Sequence, residues 1–423
     1  MTFTPPCDED KPLRLDDAKR LIDDAIVALV ETETIALTAA LGRVLAGDLI
    51  SEVDVPAHDN AAMDGYALRS DAHSSVDESG MRRLRIVGQA WAGVPYAGVV
   101  AADECVRIMT GAMMPGDCDA VVPQEEALAD GDRVDVPRGV PPGRHRRRAG
   151  EDLARGAVAI AQGRRITPSD LGLAASIGAA TLSVLRRPRV AVFSTGSELR
   201  KVGDALEAGN IRDSNRHALI AMLARLDADV VDLGIVRDDR HALEATLEHA
   251  CGDEIRADAI VTSGGVSAGD ADYTRDVMQK IGRVAFWKLA IKPGRPMAFG
   301  RIEHAGRAVP LFGLPGNPVA MMVVFYALVR DAIVKLMGAR VEALPCLLLI
   351  CDTPLRKAAG RTDFVRGIAW RAGGGWHVRA TGTQGSGMLR SMSEANCLIV
   401  LDHDRGDIAA GEIVEAWPFE GLI

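Results

Sequence analysis

Ala259-Ile-Val-Thr-Ser-Gly-Gly-Val-Ser-Ala-Gly-Asp-Ala-Asp272 passes from an apolar, β-branched run straight into a glycine loop and then two spaced carboxylates. A strand that ends in such a loop and is followed by a helical pattern is the unit of an open α/β sheet, in which ligands bind beyond the carboxyl ends of the strands. The pattern repeats on either side. Apolar strands are expected at Val190 to Phe193, Val230 to Val236 and Val309 to Phe312, with helical periodicity between them. The helix over 216–226 carries Leu219, Met222, Leu223 and Leu226 on one face, with Asp213, Ser214 and Asn215 as candidate caps. Residues 188 to 338 therefore read as a doubly wound α/β domain.

Within the opening stretch, Gly264, Gly265 and Gly269 allow close approach to a phosphate or heterocycle, and Ser263 and Ser267 add hydroxyls. The spacing is not Gly-x-Gly-x-x-Gly, so no nicotinamide site is assigned, and a plain tight turn stands beside the anion-site reading. Asp270 and Asp272 lie two positions apart, which in an extended segment turns both carboxylates to one side and suits Mg²⁺ beside a phosphate; either also serves as a helix cap. Phe286 to Lys292 reads as one strand with Lys288 and Lys292 on a common face, and Pro293-Gly294 then turns the chain to a third cation, Arg295. Gly313-Leu-Pro-Gly-Asn-Pro318 closes a strand and opens a helix, with Asn317 as N-cap, Pro318 at the first position and an oxyanion site at the helix start. Ser194-Thr-Gly-Ser-Glu198 follows another strand and brings Glu198 to the same mouth. Asp238 and Asp239 stand where ligand contact and capping are both open.

Outside this domain the period changes. Residues 15 to 30 space apolar side chains by three and four, as in an amphipathic helix; a second helix is expected from Thr38 to near Asp48, and a third over 169–177 behind Pro168. Between them, alternating runs from Arg83 to Val136 broken by Gly, Pro and Asp indicate a small β domain inserted into a helical one. After Gly338 the strands Leu347 to Cys351, Phe364 to Trp370, Trp376 to Ala380, Leu398 to Leu401 and Ile413 to Ala416 indicate a C-terminal β barrel. In the inserted part, Pro56-Ala-His-Asp-Asn-Ala-Ala-Met-Asp-Gly-Tyr-Ala67 collects Asp59, Asn60, Asp64 and Gly65 with no core periodicity; it is either a self-capped turn or a site. The run Arg144-His-Arg-Arg-Arg148 is followed by Glu151 and Asp152, which favours a local Arg and acid network over a nucleic-acid surface.

Composition agrees with several cores and a small anionic ligand. At 423 residues, roughly 150 per domain gives about three domains. Hydrophobic content is 48% but aromatic content only 4%, and 49 Lys and Arg against 58 Asp and Glu leave a net charge of −9, so stacking on nucleic acid and attraction to polyanions are disfavoured. Seven cysteines without a Cys-x-x-Cys pair read as reduced thiols of a cytoplasmic protein. Neither a signal-peptide core nor a bilayer-length apolar run occurs; the run Val319 to Val329 reads as a buried helix.

Taken together, the segments at 56–67, 194–198, 263–272 and 313–318, in this order and spacing, resemble the molybdopterin molybdenumtransferases, a family that includes the E domain of gephyrin. The resemblance covers residue 13 to the C-terminus. It implies four domains: I over 13–50 and 150–187, II over 51–149, III over 188–338 and similar to the molybdopterin adenylyltransferases, and IV over 339–423. It implies a homodimer with an active cleft shared between subunits, contact with other molybdenum-cofactor proteins, and Mg²⁺-dependent insertion of molybdate into adenylated molybdopterin with release of AMP. By matched position, Asp64, Asp152, Glu198, Asp238, Asp272, Lys288 and Lys292 would be catalytic, with Asp238, Asp270 and Asp272 as candidate Mg²⁺ ligands. Asp59, Asn60, Thr110, Gly264, Gly265, Ser267, Arg295, Pro315, Asn317, Pro318, Arg366 and Ser386 would bind substrate. His58, Ala61 and Ser197 stand where the family often carries Phe, Ser and Asp. Two other readings remain open at this point, adenylyl transfer, which would require ATP, and a non-catalytic molybdopterin-binding or scaffold role.

Overall fold

A computed structural model describes residues 12–71, 80–266 and 272–420. The α/β sheet has six strands in the spatial order Asp229–Val236, Arg189–Thr195, Ala259–Ser263, Arg307–Leu314, Pro296–His304 and Gly282–Lys288. The first four run parallel, and the last two add an antiparallel edge. Alternation explains why helices cover both faces. Val190 and Val192 pack with Leu219, Leu223 and Phe325 on one side, whereas Ala191 and Phe193 pack with Leu243, Leu247 and Val277 on the other.

From Arg189–Thr195 the chain crosses to Asp229–Val236, then returns past its starting strand to Ala259–Ser263. The strand order thus reverses between Arg189–Thr195 and Ala259–Ser263, and a crevice opens beyond their carboxyl ends. The apolar run from Val319 is one continuous helical rod from Pro318 to Leu336, with a π turn over Phe325–Val329, and it is buried along most of its length. No helix among the described residues is long and apolar enough to cross a membrane.

The C-terminal sheet closes on itself. Thr362–Ala372 pairs with Gly375–Ala380 and also with Cys397–Leu401, and the circuit runs on through Ile413–Pro418 and Leu347–Cys351 to make a five-stranded barrel. The 81–137 region forms a six-stranded sheet with Gly65–Leu68, as its alternation predicts. Its flanks meet: Thr32–Ala36 pairs with Thr181–Leu185, and Leu49–Ile50 with Val158–Ile160.

Three local expectations change. The first helix stops at Ala25, because Ile26 turns extended and Leu29 donates its N–H to the Leu336 carbonyl. In place of a second helix, Leu37–Ala39 is a single 3₁₀ turn; Gly42 then takes φ +77°, and Val44–Leu45 pairs with Thr181–Leu185. The segment read as one strand from Phe286 to Lys292 is two, Gly282–Lys288 and Ile291–Lys292. Between them Leu289 donates to the Arg295 carbonyl and Ala290 to that of Leu13, so the alternation that paired Lys288 with Lys292 is interrupted.

Candidate functional site

The crevice is a cleft of about 1100 Å³ at the carboxyl edge of the sheet, with the barrel loop 384–387 as its opposite wall. Glu198, Asp238, Gly264, Gly265, Lys292, Arg295, Pro315, Asn317, Pro318 and Ser386 all face it. Gly264 is obligatory there, since it takes φ +94° and a Cβ would sit 2.3 Å from the Thr195 carbonyl oxygen. Four cations line the cleft, Arg212, Lys292, Arg295 and Arg361; neither Lys292 nor Arg295 has an ion-pair partner among the described residues. The exposed carboxylates are Glu198 and Asp238.

Beneath the mouth lies a buried polar network. Ser194 donates to Asp213 at 3.0 Å, Arg216 pairs with Asp213 at 2.8 Å and also with Asp232, and Asn215 donates from Nδ2 to Ser263 Oγ and to the Gly316 carbonyl, both at 2.8 Å. Thr195 and Asn215 line the cleft, and their buried Oγ1 and Oδ1 atoms have no hydrogen-bond partner among the described residues. At the helix start, Asn317 occupies the N-cap without capping through its side chain, Pro318 has no N–H, and the Val319 N–H is taken by the Ser386 carbonyl at 3.0 Å. That terminus therefore offers an oxyanion fewer donors than its sequence implies, and instead docks the barrel loop to the sheet.

Arg366 does not face the cleft. Its guanidinium is 1% exposed and donates to Ser391 Oγ at 3.0 Å and to the carbonyls of Gly385 at 2.9 Å and Thr383 at 3.4 Å, so it holds the loop that carries Ser386. Of the two adjacent acids, Asp239 caps the helix Arg240–Cys251 by accepting from the Ala242 N–H at 2.9 Å, and Asp238 is left to the cleft. Lys288 is half-buried at the end of the edge strand and outside the cleft lining. Ser267 and Asp270 fall outside the described residues; Asp272 is the first residue of the helix Asp272–Ile281.

A second cluster forms on the inserted sheet. Asn60–Ala61 pairs with Arg146–Arg147, which brings the arginine run to the 59–64 segment. Asp59 pairs with Arg146 and accepts from the Ala149 N–H at 2.8 Å; the backbone bond and the arginine hold its carboxyl below the usual range. Asp64 Oδ1 accepts from both the hydroxyl and the N–H of Thr110, at 2.6 and 2.7 Å, which likewise lowers its pKa. Asn60 Oδ1 and Arg146 Nε are buried and without a hydrogen-bond partner among the described residues. Gly65 is needed for close approach, its Cβ position lying 2.0 Å from the Val122 carbonyl oxygen. Asp152 lies exposed just beyond, its N–H bonded to the Val55 carbonyl.

Three family descriptions match in chain order: MoeA N-terminal region (domain I and II) over 13–178, probable molybdopterin binding domain over 191–335, and MoeA C-terminal region (domain IV) over 349–419. The molybdopterin molybdenumtransferase of Haemophilus influenzae is 40% identical over 415 residues, covering 97% of this chain and 100% of that protein. The chain belongs to the molybdopterin molybdenumtransferase family. Molybdopterin molybdenumtransferase 2 of Mycobacterium tuberculosis is 36% identical over 91% of this chain and 94% of its own length. A crystal structure of a molybdopterin biosynthesis MoeA protein from Pyrococcus horikoshii superposes with a TM-score of 0.82 at 27% identity, covering 97% of this chain and 100% of that one.

Against that family background, the cleft gathers residues that sequence reading assigned to it and others that it did not. Thr195, Arg212, Asn215, Arg361 and Gln384 face it unpredicted. Asp213, Ser214 and Asn215 read as helix caps; Ser214 makes no side-chain cap bond, and Asp213 Oδ1 accepts from the Arg216 N–H at 3.3 Å. Three capping residues in a row for one helix start was the available signal that two of them serve something else.

Proposed function

We propose that this chain transfers molybdenum to molybdopterin as a step of molybdenum-cofactor synthesis, acting on adenylated molybdopterin and molybdate with release of AMP. Its main support is the cleft itself: a basic pocket at the switch point of the sheet, in a chain whose net charge is −9. Lys292 and Arg295 hold oxyanions of the substrate or the incoming molybdate by charge-assisted bonds, and Arg361 and Ser386 bound the same space from the barrel side. The glycine backbone at 264–265 admits the flat ring close to the sheet edge.

Glu198 and Asp238, the exposed carboxylates of the cleft, would hold Mg²⁺ in the mode where one or two carboxylates join waters and substrate phosphates. When bound, the ion supplies neutralisation of charge on the phosphoanhydride. Lys292 and Arg295 retain the phosphate charge that develops as AMP departs.

The residues lining the cleft run from Ser194 to Leu389, so the cluster of Asp59, Asn60, Asp64, Thr110 and Asp152 is not part of this wall. We assign that cluster to the cleft of a second copy, in a cytoplasmic homodimer whose site is completed across the interface and whose segments 13–50 and 150–187 flank the inserted 51–149. Unpartnered Asn60 and Arg146 atoms support the idea that it receives something from outside its own chain.

Purified protein given adenylated molybdopterin, Mg²⁺ and molybdate should release AMP and yield molybdenum-loaded cofactor together, and only with molybdate present. Binding without turnover, where a related transferase works under the same conditions, would refute the assignment.

A further inference from the structure

Among the described residues, Arg361 is the one cation of the cleft with a carboxylate partner: Arg212 donates to the Lys201 carbonyl at 2.7 Å, and Lys292 and Arg295 form no ion pair. The partner is Asp363, whose Oδ1 accepts from Arg361 Nε at 2.8 Å. Asp363 is 4% exposed and is not part of the cleft lining, so it acts from behind the wall. A carboxylate shut away from water is costly unless a cation meets it. The buried Lys357 does not serve that purpose, since its ammonium is held by the Arg405 carbonyl at 2.6 Å and forms no ion pair with Asp363.

The carboxylate engages only one of the three guanidinium nitrogens. Nη1 and Nη2 of Arg361 make no hydrogen bond among the described residues and are not closed off from water, and the side chain as a whole is 38% exposed. An arginine held by its inner nitrogen presents the outer pair as a fork, which suits two bonds to a tetrahedral oxyanion. Backbone pairing brings a second cation alongside. Ile291–Lys292 joins the barrel sheet next to Thr362–Ala372, with Lys292 opposite Asp363, and Thr362 donates to the Ala290 carbonyl at 2.9 Å. Strands paired in this way lie about 4.8 Å apart, so Arg361 and Lys292 enter one cleft from adjacent segments and repel each other. Asp363 is the only acid in either of the two paired strands.

We propose that Asp363 is a positioning residue of this site: it tethers Arg361 through Nε so that the outer nitrogens remain for an oxyanion, and its charge offsets the repulsion between Arg361 and Lys292. That the oxyanion is molybdate or the phosphate of the adenylate rests on the functional reading above; the tether does not.

Asp363→Asn is the discriminating variant. The carboxamide keeps the shape of the side chain and still accepts from Nε, but the charge is gone, so the protein should fold with little change in melting temperature while the tether weakens. Inorganic molybdate and AMP are titrated separately into the full chain by calorimetry. Arg361→Ala should weaken one of them roughly tenfold to hundredfold, and which one tells whether the guanidinium meets the incoming oxyanion or the departing phosphate. Asp363→Asn should weaken the same anion roughly 3- to 10-fold, the difference between a charge-assisted and a neutral bond. In the Arg361→Ala background, Asp363→Asn should change that affinity by less than about twofold, because nothing is left to tether.

A loss of equal size in both backgrounds, no loss in either, or unchanged affinity of Arg361→Ala for both anions would overturn the tether alone. Failure of Asp363→Asn to fold would overturn it as well, by showing that the carboxylate serves the barrel. Wild-type protein that binds neither molybdate nor AMP would overturn the functional reading, and the assignment with it.

Discussion

Replacing Arg366 by Lys separates a structural role from direct ligand contact. The guanidinium is buried with no carboxylate partner among the described residues, and its charge is met by Ser391 Oγ and two carbonyls of the 383–385 loop. An ammonium keeps the charge but cannot span a forked set of acceptors, so at least two of these bonds are lost. Bonds to a charged group contribute about 1.5–3 kcal/mol each, which places the loss at about 3–6 kcal/mol for the barrel and its loop. Because that loop carries Ser386, whose carbonyl docks on Val319, the cleft wall should loosen with it. The expected result is a clear drop in the denaturant midpoint, faster amide exchange over residues 383–386, and a raised KM with a smaller change in kcat. Unchanged stability and exchange with a raised KM would refute this reasoning and return Arg366 to direct substrate contact.

Lys292→Ala should weaken oxyanion binding roughly tenfold to hundredfold with little effect on stability, since its ammonium has no ion-pair partner among the described residues; competition by molybdate in a binding assay measures it. The neighbouring acids should behave oppositely: Asp239→Ala removes a helix cap and costs about 0.5–2 kcal/mol while sparing turnover, whereas Asp238→Ala should abolish most AMP release in a protein of normal stability. Gly264→Ala should destabilise by about 1–2 kcal/mol for the left-handed backbone alone, and by more because its Cβ meets the Thr195 carbonyl, seen as a lowered melting temperature. For Asp59, the folded pKa lies below the unfolded one, so its contribution to stability is complete above about pH 4 and is lost as pH falls through the folded value; an acid titration of Asp59→Asn should show a shallower loss over that window.

Much of this arrangement was legible in the chain because its determinants are local. Strand 189–195 alternates Val190 and Val192 against Ala191 and Phe193, and period two with apolar residues on both faces identifies a central strand without further help. Helix Pro168–Ser176 announces itself through Pro168, and the structure adds a reciprocal cap between Thr167 and Asp170. Where partners come from distant sequence, the reading failed. Val44–Leu45 sits in a helix-compatible run but pairs with Thr181–Leu185, more than a hundred residues away, and Leu289–Ala290 is pulled out of strand alternation by Leu13. The site shows the same division. Gly264, Lys292 and Asn317 are visible as motif residues, but that Arg366 turns inward to the barrel loop, or that Asn215 bridges two loops, depends on the tertiary placement of Ser391 and Gly316.

The charge distribution suits the cleft to a small anion better than to a polyanion. Arg212, Lys292, Arg295 and Arg361 come from three separate segments and converge on one concavity, while Asp213, the buried acid there, is neutralised by Arg216. Screening confines their field to about 8 Å at physiological salt, so it acts within the cleft and little beyond it. A chain of net charge −9 repels a polyanion as a whole, whereas a small anion that fits the concavity meets Arg212, Lys292 and Arg295 there, beside Arg361, which is paired with Asp363 at 2.8 Å. The arginine run at 144–148 does not supply the missing stripe, because Arg144 is held by Glu126 and Arg146 by Asp59. Selection for a small anionic ligand thus follows from where the chain places its acids as much as from where it gathers its cations.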